Sequence, residues 1–338
     1  MKAAYITHYG QKQLTLGQLP KPSITQPKQV LVRLLKASVN PVDLKIQAGK
    51  LRPLLKLPMP LVLGNDYVGI VEAIGTAVTN FKVGQKVFGR ISKQSIGTFF
   101  DYLVDQEANL ALLPPNLDLK LAAALPLVGL TAYQALFDKM QAKRGQSILI
   151  HALIHAGAGA VGSILVQLAK MQGLTVITTA SQRNHAWLTT LGADQVIDYR
   201  HSDFTKVCPP VDYVFDTIGK ETLLQSFEVV KPGGKVVSVA GLPDAKFAKA
   251  YGLNLIWQGL FKLASHKITR ASHKAHAEYE FLFMRPAGLQ LQRLAELAVT
   301  GRLQVRVAKE YPFEEIQAAC DYVATGHADG KVIIKLID

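Results

Sequence analysis

The sequence predicts an α/β fold in which a doubly wound parallel sheet is joined to a second, β-rich domain. Three observations support this prediction. A strand-like apolar run at 147–156 turns through a glycine-rich segment into an amphipathic helix and a second strand-like run at 174–178. The alternation of strand and helix patterns then continues to about residue 240, which is typical of parallel sheets. Residues 1–122 instead carry short β-branched or alternating runs separated by proline and glycine, so they form a different domain.

The predicted elements follow the chain from these patterns. Period-2 or β-branched runs indicate strands, and apolar residues at i, i+3 and i+4 indicate helices. The tail after residue 272 returns to complete the β-rich domain, so the predicted domains are 1–122 with 272–338, and 123–271. The other predicted elements are strands at 29–38, 67–74 and 85–89, a helix at 122–140, a strand at 211–216, a helix at 221–230, a turn at 232–234, a strand at 235–240, helices at 289–299 and 314–323, and a strand at 331–337.

The glycine-rich segment has the spacing of a dinucleotide-binding turn. Its glycines permit a tight turn, a close approach of the backbone to a pyrophosphate, and close packing of helix on strand. The same spacing occurs in glycine turns of other α/β proteins, but the strand before it and the helix after it favour a cofactor site at the helix N-terminus. The expected cofactor contacts are Gly157, Gly159, Ala160, Val161 and Gly162.

The residues after the second strand-like run indicate which dinucleotide is bound. NAD sites place Asp or Glu about 20 residues beyond the first glycine, whereas no acidic residue occurs from Gly157 to Ala193. Ser181 and Arg183 offer a hydroxyl and a guanidinium to a 2′-phosphate instead. We therefore expect NADPH, with Ser181 and Arg183 as contacts and His185 as a further candidate. The alternative is that Arg183 and His185 only begin a solvated helix.

Length and composition fit a soluble two-domain enzyme. The 338 residues exceed one ordinary core, and 49% hydrophobic with 19% charged residues excludes a disordered chain. No run of eighteen apolar residues is present and residues 1–6 have a strand pattern, so we expect a cytoplasmic protein with no membrane partner. Cys208 and Cys320 alone cannot build a disulfide framework or a four-cysteine zinc site.

The net charge of +13 admits nucleic acid, an anionic surface or an anionic cofactor as its explanation. Much of the excess lies in one stretch, residues 246–276, which we call the basic segment. Few aromatic residues and no RNA-binding motif occur there, so a solvated surface is favoured over specific nucleic-acid binding. The basic side chains of this segment are Lys246, Lys249, Lys262, His266, Lys267, Arg270, His273, Lys274 and His276.

Short motifs along the whole chain indicate a family. They include Ser-Val-Asn-Pro-Val-Asp-Leu-Lys at 38–45, Gly-Asn-Asp at 64–66, Ala-Leu-Pro at 124–126, Gly-Leu-Thr-Ala at 129–132, Gly-Ala-Val-Gly at 159–162, Leu-Gly-Ala-Asp at 191–194 and Gly-Lys at 330–331. With these motifs the chain resembles the zinc-independent medium-chain dehydrogenase/reductases, in their quinone oxidoreductase and enone reductase branch. The resemblance implies a Rossmann-type sheet domain and a GroES-like, partly barrel-shaped β-rich catalytic domain, with the active site between them.

The resemblance also implies site residues. Asn40 and Lys45 match positions near the nicotinamide and its ribose, and Thr131 matches a contact to the nicotinamide end. Tyr199 matches a position near the adenosine phosphate, and Lys331 is a further expected cofactor contact. Asn40 could instead tie the loop before Pro41, and Lys45 could be a surface charge; Asp43 is expected to be a structural hydrogen-bonding residue.

Zinc is not expected. Zinc-using relatives place a cysteine near position 40 and a histidine where Asn65 stands, and an amide is a poor substitute for imidazole on Zn²⁺. Two local departures from the family are also present. Tyrosines that some quinone reductases carry are absent at Lys45 and Leu51, and the tetrapeptide Leu-Ile-His-Ala occurs twice, at 149–152 and 153–156. The repeat is expected to lengthen the first sheet strand and to leave the glycine turn intact.

The combined prediction is a zinc-free, NADPH-dependent reductase of enones, enals or quinones. The missing tyrosines favour activated alkenes. Two alternatives remain: a zinc-free alcohol or aldehyde oxidoreductase, and an NADPH-containing RNA-binding protein of the zeta-crystallin type that uses the basic segment. We also expect a homodimer.

Overall fold

The computed structural model describes residues 1–151 and 158–337. Its strands are β1 Lys2–Ile6, β2 Thr15–Gln18, β3 Gln29–Val39, β4 Leu61–Val62, β5 Asp66–Ile74, β6 Lys86–Arg90, β7 Tyr102–Gln106, β8 Leu110–Leu112, β9 Ser147–His151, β10 Thr175–Ala180, β11 Gln195–Asp198, β12 Val211–Asp216, β13 Val230–Ser238, β14 Glu278–Phe281, β15 Val307–Pro312 and β16 Lys331–Lys335. Its α-helices are α1 Pro41–Gln47, α2 Leu119–Ala124, α3 Pro126–Tyr133, α4 Ala158–Met171, α5 His185–Thr190, α6 Phe204–Val207, α7 Lys220–Val229, α8 Ala245–Ala250, α9 Leu255–Ala264, α10 His266–Lys274, α11 Gly288–Val299 and α12 Ile316–Ala324. Among these described residues, no helix has the length and apolar character needed to cross a bilayer.

The chain separates into two compact units. Unit 1 contains Met1–Leu130 and residues 284–337, and unit 2 contains residues 131–151 and Val161–Phe283. The limits expected from the sequence, 1–122 with 272–338 and 123–271, differ mainly at β14. The expected limits include β14 in the β-rich domain. In the structure β14 pairs in parallel with β13, so it extends the sheet of unit 2.

Unit 2 is built on a six-stranded parallel sheet in the order β11-β10-β9-β12-β13-β14. Strands are added outward from β9 in one direction and from β12 in the other, as in a doubly wound nucleotide-binding fold. The strands are apolar along most of their length, with Leu149, Val176 and Val214 fully buried, because helices cover both faces of such a sheet. The predicted α/β fold class is confirmed.

Unit 1 contains a seven-stranded sheet organised around β3. This long strand pairs with β5 along one side, and with β7 and then β16 along the other. Since β3 lies near the start of the chain and β16 at its end, both termini contribute to one sheet. A smaller antiparallel sheet joins β1 to β2 and β4.

Several elements differ from the sequence prediction for identifiable reasons. The helix expected at 122–140 is divided into α2, α3 and a π-helix at Gln134–Met140, because Pro126 cannot donate a helical hydrogen bond. The turn expected at 232–234 lies inside β13 as an irregularity, where Val211 pairs with Val230 but Tyr213 with Lys235. α1 was not predicted, since Asn40 and Pro41 suggest a loop although they also suit the start of a helix.

Candidate functional site

The carboxyl ends of the unit 2 strands form a candidate cofactor site. β9 ends at His151, β10 at Ala180, β11 at Asp198 and β12 at Asp216, and parallel strands bring these ends to one edge of the sheet. Ligands of doubly wound folds bind at this edge, next to the point where the strand order reverses. A cavity of about 340 Å³ opens there; it is lined by His151, Thr179, Tyr199, Ser202, Asp203, Phe204, Ile218, Thr222 and Gln225.

Polar and basic side chains follow the end of β10. Ser181 is buried, and its hydroxyl accepts a hydrogen bond of 3.0 Å from the Asn184 amide. Arg183 is exposed on the short turn between them. His185 begins α5, and its buried Nε2 has no hydrogen-bond partner in the part of the chain that the structure describes. Of these three groups only the Arg183 guanidinium is exposed, whereas Ser181 and the His185 Nε2 are buried.

The neighbouring strand end carries a carboxylate whose charge is already compensated. Asp198 accepts hydrogen bonds of 3.0 Å from the Arg200 backbone N–H and from Nδ1 of His201. These two donors hold the pKa of Asp198 below its usual range. Tyr199 is 40% exposed, lines the cavity, and has the Arg200 guanidinium 6.0 Å from its ring centroid. Tyr199 therefore lies at the strand ends and is accessible, and its contact with the adenosine phosphate stays a prediction.

His151 is buried at the end of β9 and acts as a structural residue. Its Nδ1 lies 3.2 Å from the Thr179 hydroxyl and its Nε2 lies 3.1 Å from the Ser226 hydroxyl. Complete burial lowers the pKa of His151 to about 3, so the ring is neutral at physiological pH. The side chain therefore links β9, β10 and α7 through neutral hydrogen bonds.

The glycine-rich segment is described only in part. Gly159, Ala160, Val161 and Gly162 lie in the first turns of α4, which begins at Ala158. A helix N-terminus carries partial positive charge and favours an anion. The contact expected at Gly157, and the second Leu-Ile-His-Ala repeat with its expected lengthening of β9, lie outside the described residues.

Unit 1 contains its own candidate site, a buried polar network centred on Asp66. One of its carboxylate oxygens accepts from the Ser38 hydroxyl at 2.8 Å, from the Asn40 amide at 2.9 Å and from the Lys331 ammonium at 3.1 Å. The other accepts from the Leu127 backbone N–H at 2.8 Å. Lys331 also donates to Asn40 Oδ1, and both side chains are almost completely buried.

A second carboxylate extends this network to the start of α1. Asp43 accepts from the Asn40 backbone N–H at 2.7 Å and from the Asn65 amide at 2.5 Å. Burial raises the pKa of Asp43 to about 7, the charge of Asp66 adds to the increase, and the two hydrogen bonds oppose it. The expectation that Asp43 has a structural hydrogen-bonding role agrees with these contacts.

The structure brings some expected site residues together and separates others. Asn40 and Lys331 are in direct contact, and their polar groups are engaged with each other and with Asp66. Lys45 is exposed on the last turn of α1, where partial desolvation and the charge of Lys50 lower its pKa. Thr131 is buried in α3. In this arrangement Asn40 and Lys331 position the loop before α1, whereas Lys45 is accessible to a ligand.

Asp66 and Ser38 complete the network but were not selected from the sequence. Both stand inside motifs that carry the family resemblance, so the signal was present, but it did not distinguish a structural carboxylate from a ligand contact. The structure also shows that the buried Nε2 of His185 has no hydrogen-bond partner among the described residues, which the sequence does not indicate.

The unit 1 network does not have the chemistry of a zinc site. Asn65 stands at the position of the expected histidine ligand, and its amide nitrogen donates to Asp43. Among the described residues, no three His, Cys, Asp or Glu side chains are grouped so that they could hold a metal ion. An amide and a lysine-paired carboxylate do not supply the thiolate and imidazole ligands that Zn²⁺ prefers.

Two family models match this chain. Residues 26–115 match the alcohol dehydrogenase GroES-like domain, and residues 191–334 match a model described as zinc-binding dehydrogenase. Together they cover parts of both units.

Named relatives and a solved structure extend the match to nearly the full length. A chloroplast envelope quinone oxidoreductase homolog from Arabidopsis thaliana is 30% identical over 94% of this chain and 92% of its own. An NADPH-dependent alkenal/one oxidoreductase from the same plant is 31% identical over 90% of this chain and 72% of its own. The quinone oxidoreductase structure from Coxiella burnetii superposes with a TM-score of 0.83 at 31% identity, covering 100% of this chain and 99% of the other.

The raised pKa of Asp43 predicts a pH-dependent stability. The folded-state pKa of about 7 exceeds the ordinary 3.8, so the unfolded carboxyl ionises first as pH rises. The contribution of the protonated Asp43 carboxyl to the free energy of unfolding is therefore complete below about pH 3.8. As the pH rises it decreases with a slope of up to about 1.4 kcal/mol per pH unit, and it is lost above about pH 7. Asp43→Asn should remove this component from urea-unfolding free energies measured between pH 5 and 8.

Asp101→Asn, in the same unit, is the control for this measurement and should leave the pH dependence unchanged. The buried Asp105, whose pKa is raised to about 6, titrates in the same window, so the quantity to compare is the difference between wild type and Asp43→Asn. A difference that stays constant with pH would show that Asp43 is ionised throughout.

Proposed function

The chain belongs to the medium-chain dehydrogenase/reductase family and is an oxidoreductase that depends on a nicotinamide dinucleotide; from this premise we propose that it uses NADPH to reduce α,β-unsaturated carbonyl compounds or quinones, without zinc. In this proposal unit 2 binds the cofactor and unit 1 supplies the catalytic domain. NADPH, when bound, supplies the hydride, so the protein has to orient two molecules and stabilise developing negative charge.

The single observation that supports NADPH is the set of groups after β10. The exposed guanidinium of Arg183 suits a 2′-phosphate, and the Ser181 hydroxyl, which accepts from Asn184, keeps its own proton to donate. An NAD site would instead place a carboxylate in this stretch. The name of the Arabidopsis alkenal/one oxidoreductase, which states NADPH dependence, supports the same choice.

The proposed substrate class rests on the groups near the 40–51 region that are able to stabilise negative charge on a substrate. A carbonyl-to-alcohol reaction needs a group that stabilises an alkoxide, usually zinc or a tyrosine, and neither is expected in the 40–51 region. Reduction of an activated alkene or a quinone spreads the charge over an enolate or hydroquinone, which a single donor can stabilise. Relatives named for alkenal/one and quinone substrates fit this chemistry.

Lys45 is the residue of unit 1 that we propose touches the cofactor. Its exposed ammonium can donate to the nicotinamide ribose, and its lowered pKa makes it a better proton donor than an ordinary lysine. Asn40 and Lys331 are then positioning residues, because they fix the start of α1 through Asp66 and so determine where Lys45 lies. Thr131 and Tyr199 are proposed contacts to the nicotinamide end and to the adenosine phosphate.

We also propose a homodimer located in the cytoplasm. β14 is the last strand in the order of the unit 2 sheet, so one of its edges has no neighbouring strand in the described chain. A second copy could extend the sheet there, because an unpaired edge presents free backbone donors and acceptors. Light scattering with size-exclusion chromatography measures this directly.

The cofactor proposal predicts the effect of Arg183→Ala. Loss of a charge-assisted contact to the 2′-phosphate should raise the KM for NADPH by about 10- to 100-fold and leave the NADH reaction unchanged. The measurement is kcat/KM for both cofactors with one enone. Lys143→Ala, which removes an exposed cation before β9 at the opposite edge of the sheet, should change neither value; a wild-type preference for NADH would contradict the proposal.

The absence of a zinc requirement predicts resistance to chelation. Dialysis against a strong chelator should leave turnover with enones and quinones unchanged, because no step uses a Lewis acid. Metal analysis before and after dialysis is the control. If activity is lost on dialysis and returns with Zn²⁺, the protein requires a zinc ion for turnover.

The two possible roles of Lys45 predict different kinetics. A contact to the ribose makes Lys45→Ala raise mainly the KM for NADPH, since that binding is similar in the ground and transition states. A contact to the substrate oxygen makes it lower kcat by about 100-fold. We expect the first result. Lys56→Ala, which removes another exposed lysine of unit 1, is the control. If kcat and both KM values are unchanged in Lys45→Ala, Lys45 is a solvated surface residue that contacts neither ligand.

A further inference from the structure

Helix α9 of unit 2 presents an apolar face to solvent. Its aliphatic side chains Leu255, Ile256, Leu260 and Leu263 are 81%, 72%, 49% and 77% exposed. Ile256, Leu260 and Leu263 are spaced i, i+4, i+7, so they share one face of the helix. None of the ten described residues of α9 is buried.

This exposed face belongs to a well-formed helix. The Asn254 side chain caps its N-terminus by accepting from the Trp257 backbone N–H at 3.1 Å. The half-buried rings of Trp257 and Phe261 lie 5.8 Å apart, and the helix contacts α8 and α10. A contiguous exposed apolar patch on a folded protein marks an interaction surface.

The chemistry around α9 is strongly cationic. The basic segment contains no Asp or Glu, and one buried residue, Ser265, separates α9 from α10. Lys267, Arg270 and Lys274 follow the spacing i, i+3, i+7 on α10, which makes one stripe, whereas Ile268 is buried. Lys262 lies on α9 itself.

The cations of this stripe are available to a ligand. None of Lys262, Lys267, Arg270 and Lys274 forms an ion pair within the part of the chain that the structure describes, and all four are exposed. Lys267, Arg270 and Lys274 line a concavity of about 700 Å³ between α10 and α7, whose rim also carries Glu228. The concavity is large enough for phosphate-sized anions.

We propose that α9 and α10 bind the surface of an anionic lipid bilayer. The aliphatic face of α9 enters the boundary between head groups and acyl chains, and the cations of α10 contact the lipid phosphates, as in other interfacial amphipathic helices. The expectation of no membrane partner rested on the lack of an apolar run long enough to span a bilayer, which does not bear on surface binding.

Other occupants fit these two features less well. Nucleic acid would use the cations but has no use for exposed leucine and isoleucine, since bases stack on aromatic rings. A second copy of the chain would cover the aliphatic face but would bring two acid-free cationic segments together. An anionic bilayer satisfies both the apolar and the cationic part of the surface.

Vesicle flotation of the full-length protein tests the proposal. The protein should float with phosphatidylcholine vesicles containing about 30% phosphatidylserine, and much less with phosphatidylcholine alone. The Lys267→Ala, Arg270→Ala, Lys274→Ala triple variant should bind at least about tenfold more weakly and show a smaller effect of added salt. The Leu260→Ser, Leu263→Ser double variant should lose binding at low salt as well.

Two matched variants in unit 1 control for nonspecific effects. Lys12→Ala, Lys82→Ala, Arg302→Ala removes three exposed cations, and Val83→Ser, Leu289→Ser removes two exposed apolar side chains. Both should float as wild type does. Retained NADPH oxidation, or an unchanged circular dichroism spectrum if the protein proves inactive, shows that each variant is folded.

Three results would overturn the proposal. One is flotation that is equal on neutral and anionic vesicles, or that falls as much in the unit 1 control variants as in the α9 and α10 variants. Another is a lack of flotation together with dimers that dissociate in the Leu260→Ser, Leu263→Ser variant, which would assign the face to a second copy. The third is RNA binding that depends on Lys267, Arg270 and Lys274 with no vesicle binding.

Discussion

Unit 1 depends on the hydrogen bonds and the ion pair that the buried Asp66 carboxylate receives. This carboxylate receives hydrogen bonds from Ser38 at the end of β3, from Asn40 before α1, from Leu127 in α3 and from Lys331 at the start of β16. Three separate segments of the chain are thus joined to β5 at one buried charge. Burying an ion pair is costly, and removing one partner from such a pair typically costs about 3–5 kcal/mol. The benefit is that the start of α1 has only one position in which every donor is satisfied.

The candidate sites of the two units are built by different physical means. In unit 2 the geometry comes from the backbone, because parallel strand ends and a helix N-terminus generate an anion-binding edge with few side chains. In unit 1 the geometry comes from side chains, because the Asp43 carboxylate accepts from both the Asn40 backbone N–H and the Asn65 amide at the start of α1. Substitutions of single side chains should therefore be tolerated more readily around the unit 2 edge than around the network.

The sequence predicted the elements whose information is local and missed those that depend on tertiary contacts. The strand at 211–216 and the helix at 289–299 agree with β12 and α11 within one residue, since a short apolar run after two prolines marks the first and a period of 3.6 residues marks the second. The motif around Asn40 was recognised, but its helical form and the contact with Lys331 were not, because no local pattern links residues so distant. The same limit applies to α9, whose apolar residues resemble a buried helix in sequence and are exposed in the structure.

The distance along the chain between Asn40 and Lys331 has a consequence for biosynthesis. The two residues are separated by 291 positions, which a ribosome adds in about 15 to 60 s at 5–20 residues per second. During that interval β3 and β5 can pair, but Asp66 has no ammonium partner and β3 lacks β16 at its edge. The nascent chain therefore carries an open sheet edge and an uncompensated carboxylate until its last residues emerge. Holding chaperones would be most useful to this protein in that window.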